Sequence, residues 1–320
     1  MQKASKKLPQ VLQLKDYWLV TPSVQRSMLI VCLALGPGIF SSLFFFGFGM
    51  LSNIILAIFF GLLIELVLHH FRGHSVKDFP FEGSGAVMAI IFALSLPASI
   101  PWWILLFGIF FAIAIGKYAY GGTGNNVFNP AMVGVVALLL SFPTEMNQWQ
   151  LDLDGLAGAT PFDHLQTSLR LSQMISEMDN AAVFGLLGAS GHEWINLAFL
   201  MGGLVLIHQK VIRWQIPLGV LTGILITASL FHTIDSDVYT GAFFNLFGGA
   251  TMLCAFFVST DPVTSPVTAK GRFIYGCLIG LVIYGIRTWG NYPEGVAFAV
   301  LMMNATVPLL DFFTRPKAPV

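Results

Sequence analysis

Apolar residues run along this chain in long unbroken stretches, without the every-second-residue alternation of a barrel strand. Seven stretches, 26–46, 49–70, 100–120, 192–212, 215–232, 271–288 and 294–313, reach or approach the roughly 20 residues a helix needs to cross a hydrocarbon core about 30 Å thick. Three shorter ones, 84–96, 129–143 and 244–259, bring the predicted membrane segments to ten. The predicted fold class is an all-α integral membrane protein. Polar stretches divide it into an N-terminal segment 1–25, five segments in 26–143, a long loop 144–191, five segments in 192–313 and a tail 314–320.

The two groups of five resemble each other. At a constant offset of 164, Gly85, Ala86, Met88, Phe92 and Ser95 match Gly249, Ala250, Met252, Phe256 and Ser259, and Gly116, Tyr120 and Gly121 match Gly280, Tyr284 and Gly285. Because five crossings separate the halves, such repeats are inverted in the membrane, and folds of that kind place their site where the repeats meet. The third and eighth segments, 84–96 and 244–259, are short in both halves. At 1.5 Å per residue they are expected to end inside the protein, facing a ligand, an ion or a cavity.

Charge orients the chain. With the N-terminus inside and ten crossings, fourteen of the 16 Lys and Arg fall inside, and only Arg170 and Arg287 fall outside. Both termini are then cytoplasmic and 144–191 is external. Composition agrees: 56% of residues are hydrophobic and 10% charged, too few charges to clothe a soluble protein of 320 residues. The net charge of zero excludes the basic excess that nucleic-acid binding needs. The basic, polar first residues carry no apolar stretch for a cleaved signal peptide. Cys32, Cys254 and Cys277 sit in apolar runs without a CxxC pair, so buried inert thiols are expected and no metal site is predicted.

Three groups of residues are candidates for chemistry. In the external loop, Asp154-Gly155-Leu156-Ala157-Gly158-Ala159-Thr160-Pro161 leaves the Thr160 hydroxyl uncrowded, and Pro161 pushes Thr160 toward an extended conformation. Read by itself, that stretch is better taken as a plain acidic turn of small residues. Thr123-Gly124-Asn125-Asn126-Val127-Phe128-Asn129-Pro130 offers amides at the start of a short helix, where Asn129 can serve simply as its cap and Pro130 opens the first turn. Glu65, Asp261 and Asp311 are acids within or at the edge of the membrane. There an ionised carboxylate costs roughly 2.5–3.5 kcal/mol, so an ion path competes with snorkelling, capping and an interfacial position. His69, His70 and His74, beside Arg72 and Lys77, read as a solvated basic loop, and Trp102, Trp103 and Trp194 as interfacial anchors.

The Asp154–Thr160 stretch resembles the D-x-x-[Ser/Thr/Ala]-G-A-T motif on which a flavin transferase attaches FMN to threonine. GGTGNNVFNPAMVG at 121–134 and STDPVTSP at 259–266 agree with the same family in the same order. The chain is thereby similar, over essentially its whole length, to the family of the D subunits of Rnf electron transport complexes and the B subunits of sodium-translocating NADH:quinone reductases. Its short N-terminus is more like the former. The resemblance implies FMN in phosphoester linkage to Thr160 and a noncovalent riboflavin beside Asn126 and Asn129, with Thr123 and Gly124 in the same loop. It links the acids at Glu65, Asp261 and Asp311 to cation movement. It implies a bacterial inner membrane subunit of a complex coupling ferredoxin and NAD oxidoreduction to Na+ or H+ translocation. A flavin-bearing periplasmic subunit, iron–sulfur subunits and the flavin transferase are then its partners. A solute channel or transporter built from inverted repeats is the alternative.

Overall fold

In the computed structural model of the chain, residues 24–73, 83–122, 124–149, 160–178, 183–292 and 294–315 are described. Among them the regular elements are helices, beside one isolated bridge between Phe184 and Ala189. Helices fall on all ten predicted stretches. In the first half they are α1 (Val24–Phe46), α2 (Phe48–Phe71), α3 (Ser84–Leu94), α4 (Trp102–Ala114) and α5 (Pro130–Ser141). The middle of the chain adds α6 (Pro143–Met146) and α7 (Pro161–Arg170), so the predicted long loop contains a helix of ten residues. The second half holds α8 (His192–His208), α9 (Gln215–Ile234), α10 (Ala242–Leu246), α11 (Thr251–Leu253) with a π turn (Cys254–Val258), α12 (Ala269–Trp289) and α13 (Val296–Thr314).

Six spans are long and apolar enough to cross a membrane: α1, α2, Trp102–Tyr120, α9, α12 and α13. The chain is therefore an all-helical, multi-pass membrane protein. α3 and α5 are apolar but only 11 and 12 residues long, and α8 has 17. α3 is enclosed by protein, with Phe92 fully buried, and Leu138 of α5 is fully buried too, whereas Leu33, Phe40, Phe44 and Phe59 on α1 and α2, and Met201 and Leu204 on α8, are bare.

Packing pairs the helices in a repeating way. α2 lies on α4 and α9 on α12; α4 lies on α5 and α12 on α13; α1 meets α8, and α5 meets α13. The α9–α12 crossing is close, because Gly219 and Gly223 of α9 face Gly276 and Gly280 of α12. A Cβ on Gly219 would lie 3.0 Å from Gly276 Cα, so both helices use small residues four apart to bring backbones together.

Residues 244–259 depart from the single short helix predicted. The chain breaks between α10 and α11, with Gly249 at φ 53°. The carbonyls a continuous helix would use are taken by side chains. Thr251 Oγ1 donates to Asn245 O and Gly248 O at 2.9 Å each, and Arg287 also donates to Asn245 O at 3.0 Å. The segment then widens into the π turn, where Ser259 N donates to Cys254 O at 2.9 Å. Of the three thiols, only Cys254 is buried; Cys32 and Cys277 are half-exposed, since each sits on a helix side that its neighbours only partly cover.

Candidate functional site

Thr160 is the N-cap of α7. Pro161 at the first turn holds it extended, at φ −58° and ψ 156°, and its Oγ1 accepts the Asp163 N–H at 3.2 Å. The residue is 4% exposed, yet it lines a cavity of about 90 Å³ between the two halves of the chain. α1 contributes Ser42 and Phe46 to the wall, α5 contributes Met132, and α8 contributes His192 and Phe199; Trp149 and Glu294 complete the side around Thr160. Phe46 stands edge-on to Trp149 and His192, with ring centres 5.3 and 5.7 Å away. The cavity is thus largely apolar, with three aromatic side chains and a few polar groups in its wall, as ligand sites commonly are. Asp154, Gly158 and Ala159 of the motif lie outside the described residues.

Behind this wall sits a buried polar cluster that the sequence reading did not single out. Arg287 of α12 pairs with Glu294 at 3.1 Å, and its guanidinium lies 4.3 Å over the Phe162 ring of α7. Gln166 Nε2 donates to Arg287 O at 2.6 Å, tying α7 to the end of α12. Asn196 of α8 accepts from Met252 N at 2.9 Å and donates to Gly249 O at 2.7 Å, fixing the start of α11. The available signal was Arg287 itself, a lone cation at the end of an apolar run, where a charge within reach of the membrane implies a named partner.

The second candidate loop lies at the other end of the short helices. Gly121, Gly122 and Gly124 hold φ of 111°, 102° and 87°, and nothing lies within 4 Å of where a Gly124 side chain would start. Asn126 is buried and donates to Phe128 O at 3.1 Å. Asn129 caps α5, accepting from Met132 N at 3.3 Å, as the capping reading expected. Its Nδ2 also reaches across to Val258 O at 3.1 Å, and its backbone N–H donates to Asn304 Oδ1 at 3.0 Å. Asn129 therefore joins the two halves of the chain at the end of the π turn. Thr123 lies outside the described residues.

The three acids have separate partners. Glu65 of α2 is 4% exposed and pairs with Lys117 at 2.7 Å, so it neither snorkels nor stands alone. Asp261 Oδ1 accepts from Val263 N at 3.1 Å and Oδ2 accepts from the Thr264 hydroxyl at 3.2 Å, a local turn. Burial raises the Asp261 carboxyl above the ordinary carboxylate value, against the two hydrogen bonds, which lower it. Asp311, buried near the end of α13, accepts from Val267 N at 2.9 Å. Asp261 and Asp311 thus brace the 261–268 turn from both sides. Of the basic-loop histidines, His69 and His70 end α2, and His74 lies outside the described residues. Trp102, Trp103 and Trp194 are all well exposed near helix starts.

The NQR2, RnfD, RnfE family model matches residues 13–319. Among curated proteins, the D subunit of the ion-translocating oxidoreductase complex of Aliivibrio salmonicida is 39% identical, covering 92% of this chain and 94% of that protein. The corresponding protein of Aeromonas hydrophila is 42% identical over 92% of this chain and 93% of its own length. That of Escherichia coli O81 is 40% identical, over 91% and 93%.

Proposed function

The chain belongs to the NQR2, RnfD, RnfE family, and from that membership we propose that it is the D-type membrane subunit of an ion-translocating oxidoreductase complex, bearing FMN esterified to Thr160. One observation carries the reading: Thr160 is buried as the N-cap of α7 and lines a largely apolar cavity between the halves. The residues present fit the group. A phosphate on Oγ1 would stand at the N-terminus of a ten-residue helix, where backbone N–H groups and the helix dipole favour an anion. The wall of Phe46, Trp149 and Phe199 suits a flat conjugated ring, and Ser42, His192 and Glu294 supply the few polar contacts such a ring needs. When bound, the flavin supplies the redox chemistry. The chain's part is to hold the ring, keep water from it and fix the charge around it.

A second flavin, riboflavin, would lie in the 121–129 loop beside Asn126, Asn129, Thr123 and Gly124. In support, the glycines there leave backbone open for close approach, and Asn129 fixes the loop to the other half of the chain. The ten-crossing reading, with two five-helix inverted repeats and both termini cytoplasmic in the inner membrane, is supported by the repeated pairings of α2 with α4 and α9 with α12. Ser95 and Ser259, related by the 164-residue offset, both bond back to the carbonyl four residues earlier at the ends of their short helices. On this topology Thr160 is external and the Asn126 loop internal, so electrons received from a neighbouring flavoprotein subunit cross most of the membrane between the two flavins. Glu65, Asp261 and Asp311 remain the candidates for the Na+ or H+ path.

The test is a denaturing gel of the subunit purified from cells that contain the flavin transferase. A band with flavin fluorescence is expected in the parent and none in Thr160→Ala. A dark parent band rejects the covalent flavin and leaves the solute-channel alternative. For the loop site, Asn126→Ala is expected to lower the riboflavin extracted from the complex while the gel band stays fluorescent. Unchanged riboflavin removes Asn126 from the second site.

A further inference from the structure

Two glycines related by the 164-residue offset, Gly85 and Gly249, each press against an ion pair, buried at Gly85 and half-buried at Gly249. A Cβ on Gly85 would fall 2.5 Å from Glu65 Oε2, the partner of Lys117; a Cβ on Gly249 would fall 1.5 Å from Glu294 Oε1 and 2.7 Å from Arg287 Nη2. Each half thus seats a carboxylate where only glycine leaves room and holds it with a cation near the end of the helix after the short one, but the carboxylates come from different places: Glu65 from α2, before the short helix, and Glu294 from the segment after α12. The two differ in what they face. Neither Glu65 nor Lys117 lines the cavity at Thr160, whereas Glu294 and Gly249 both do.

The Arg287–Glu294 pair is also unequal. The Arg287 side chain is 1% exposed and fixed by four further contacts. Nη1 donates to Asn245 O and Thr251 Oγ1 at 3.0 Å each, Nη2 donates to Gly248 O at 3.4 Å, and the guanidinium covers the Phe162 ring. Its Nε is buried without a partner, so the side chain is held in place despite an unmet donor. The Glu294 side chain is 24% exposed, toward the cavity. The negative end of the pair therefore borders the cavity that Thr160 also lines, and the positive end is buried behind it. Charges beside a cavity act strongly where water is excluded.

We propose that Glu294 is the charge that sets the reduction potential of the flavin carried by Thr160, and that Arg287 is the positioning residue that holds Glu294 in the wall. The inference rests on the covalent-flavin reading and goes beyond it, since attachment through Thr160 requires neither residue. Electrons arriving on the ring add negative charge. A carboxylate facing the ring opposes that charge, and the guanidinium behind it offsets part of the opposition. Removing the carboxylate leaves Arg287 uncompensated and favours the reduced flavin. Removing the guanidinium does the reverse.

The experiment is a spectroelectrochemical titration of the intact complex. The transition belonging to the Thr160 flavin is identified as the one absent from Thr160→Ala. In Glu294→Gln, which keeps the shape and one of the two oxygens that accept from Arg287 Nη2, the midpoint of that transition is expected to rise; in Arg287→Gln it is expected to fall. A purely structural pair would not move the midpoint in opposite directions. An unchanged or lowered midpoint in Glu294→Gln overturns the proposal, and that variant decides alone if Arg287→Gln does not assemble. If no transition is missing from Thr160→Ala, the flavin reading itself has failed, and this inference falls with it.

Discussion

At the scale of single residues, the chain handles its scarce membrane charges by pairing them. Glu65 and Lys117 are both buried, at 4% and 8% exposure, and meet at 2.7 Å, with the Tyr118 hydroxyl donating to Glu65 O at 3.2 Å. Taking two charges out of water is costly, and a buried pair roughly recovers that cost; taking away one partner leaves the other stranded. Lys117→Met is therefore expected to lower stability by about 3–5 kcal/mol, while adding Glu65→Gln to it recovers most of the loss. Thermal unfolding of the detergent-purified protein, single variants against the double, reads this directly. Equal melting of Lys117→Met and the parent would mean that Glu65 has another source of compensation. Glu65 stood out in the sequence as an acid inside an apolar run. Its partner did not, because 52 residues separate the two and no local spacing links them.

At the scale of elements, hydropathy was enough to find the helices and too coarse to find how they end. Each of the ten apolar stretches carries a helix, since a long apolar run in lipid has to satisfy its backbone within itself. The break between α10 and α11 was not legible. It is made by Thr251, Asn196 and Arg287 taking up carbonyls and amides around Gly249, and these come from three different helices. The α9–α12 crossing was legible and went unread: Gly219 with Gly223, and Gly276 with Gly280, are small residues four apart in plain view. α7 was hidden because 144–191 is polar, and a polar helix gives no hydropathy signal, although Thr160-Pro161 is a helix-start pair. At the site, Thr160 and Asn129 were singled out by the family resemblance, whereas local chemistry read them as a turn residue and a cap, and both are N-caps. Glu294, His192 and Trp149 were not, because only folding brings them to Thr160.

At the scale of the whole molecule, the number of crossings decides which side every site faces, and one helix can settle it. If only the six long spans cross the membrane, Trp102–Tyr120 is the third crossing and α9 the fourth, so α9 runs from outside to inside. If α3, α5, α8 and the α11 segment also cross, α9 is the seventh crossing and runs from inside to outside. Lys210, exposed just before α9, and Ser236, exposed just after it, exchange sides between the two cases. Charge favours the second. Ten crossings put Lys117, Lys210 and Arg213 inside, whereas six put all three outside, against the usual excess of Lys and Arg on the cytoplasmic side. Single cysteines at Lys210 and Ser236, in a chain whose Cys32, Cys254 and Cys277 are replaced by alanine, separate the cases in intact cells. A membrane-impermeant maleimide is expected to label Ser236→Cys from outside and to reach Lys210→Cys only after the cells are opened. The reverse pattern would leave six crossings, place the Asn126 loop outside, and end the argument for electron transfer across the membrane between two flavins. It would leave the cavity at Thr160 intact, because that cavity is built from packing between the halves and not from their direction in the bilayer.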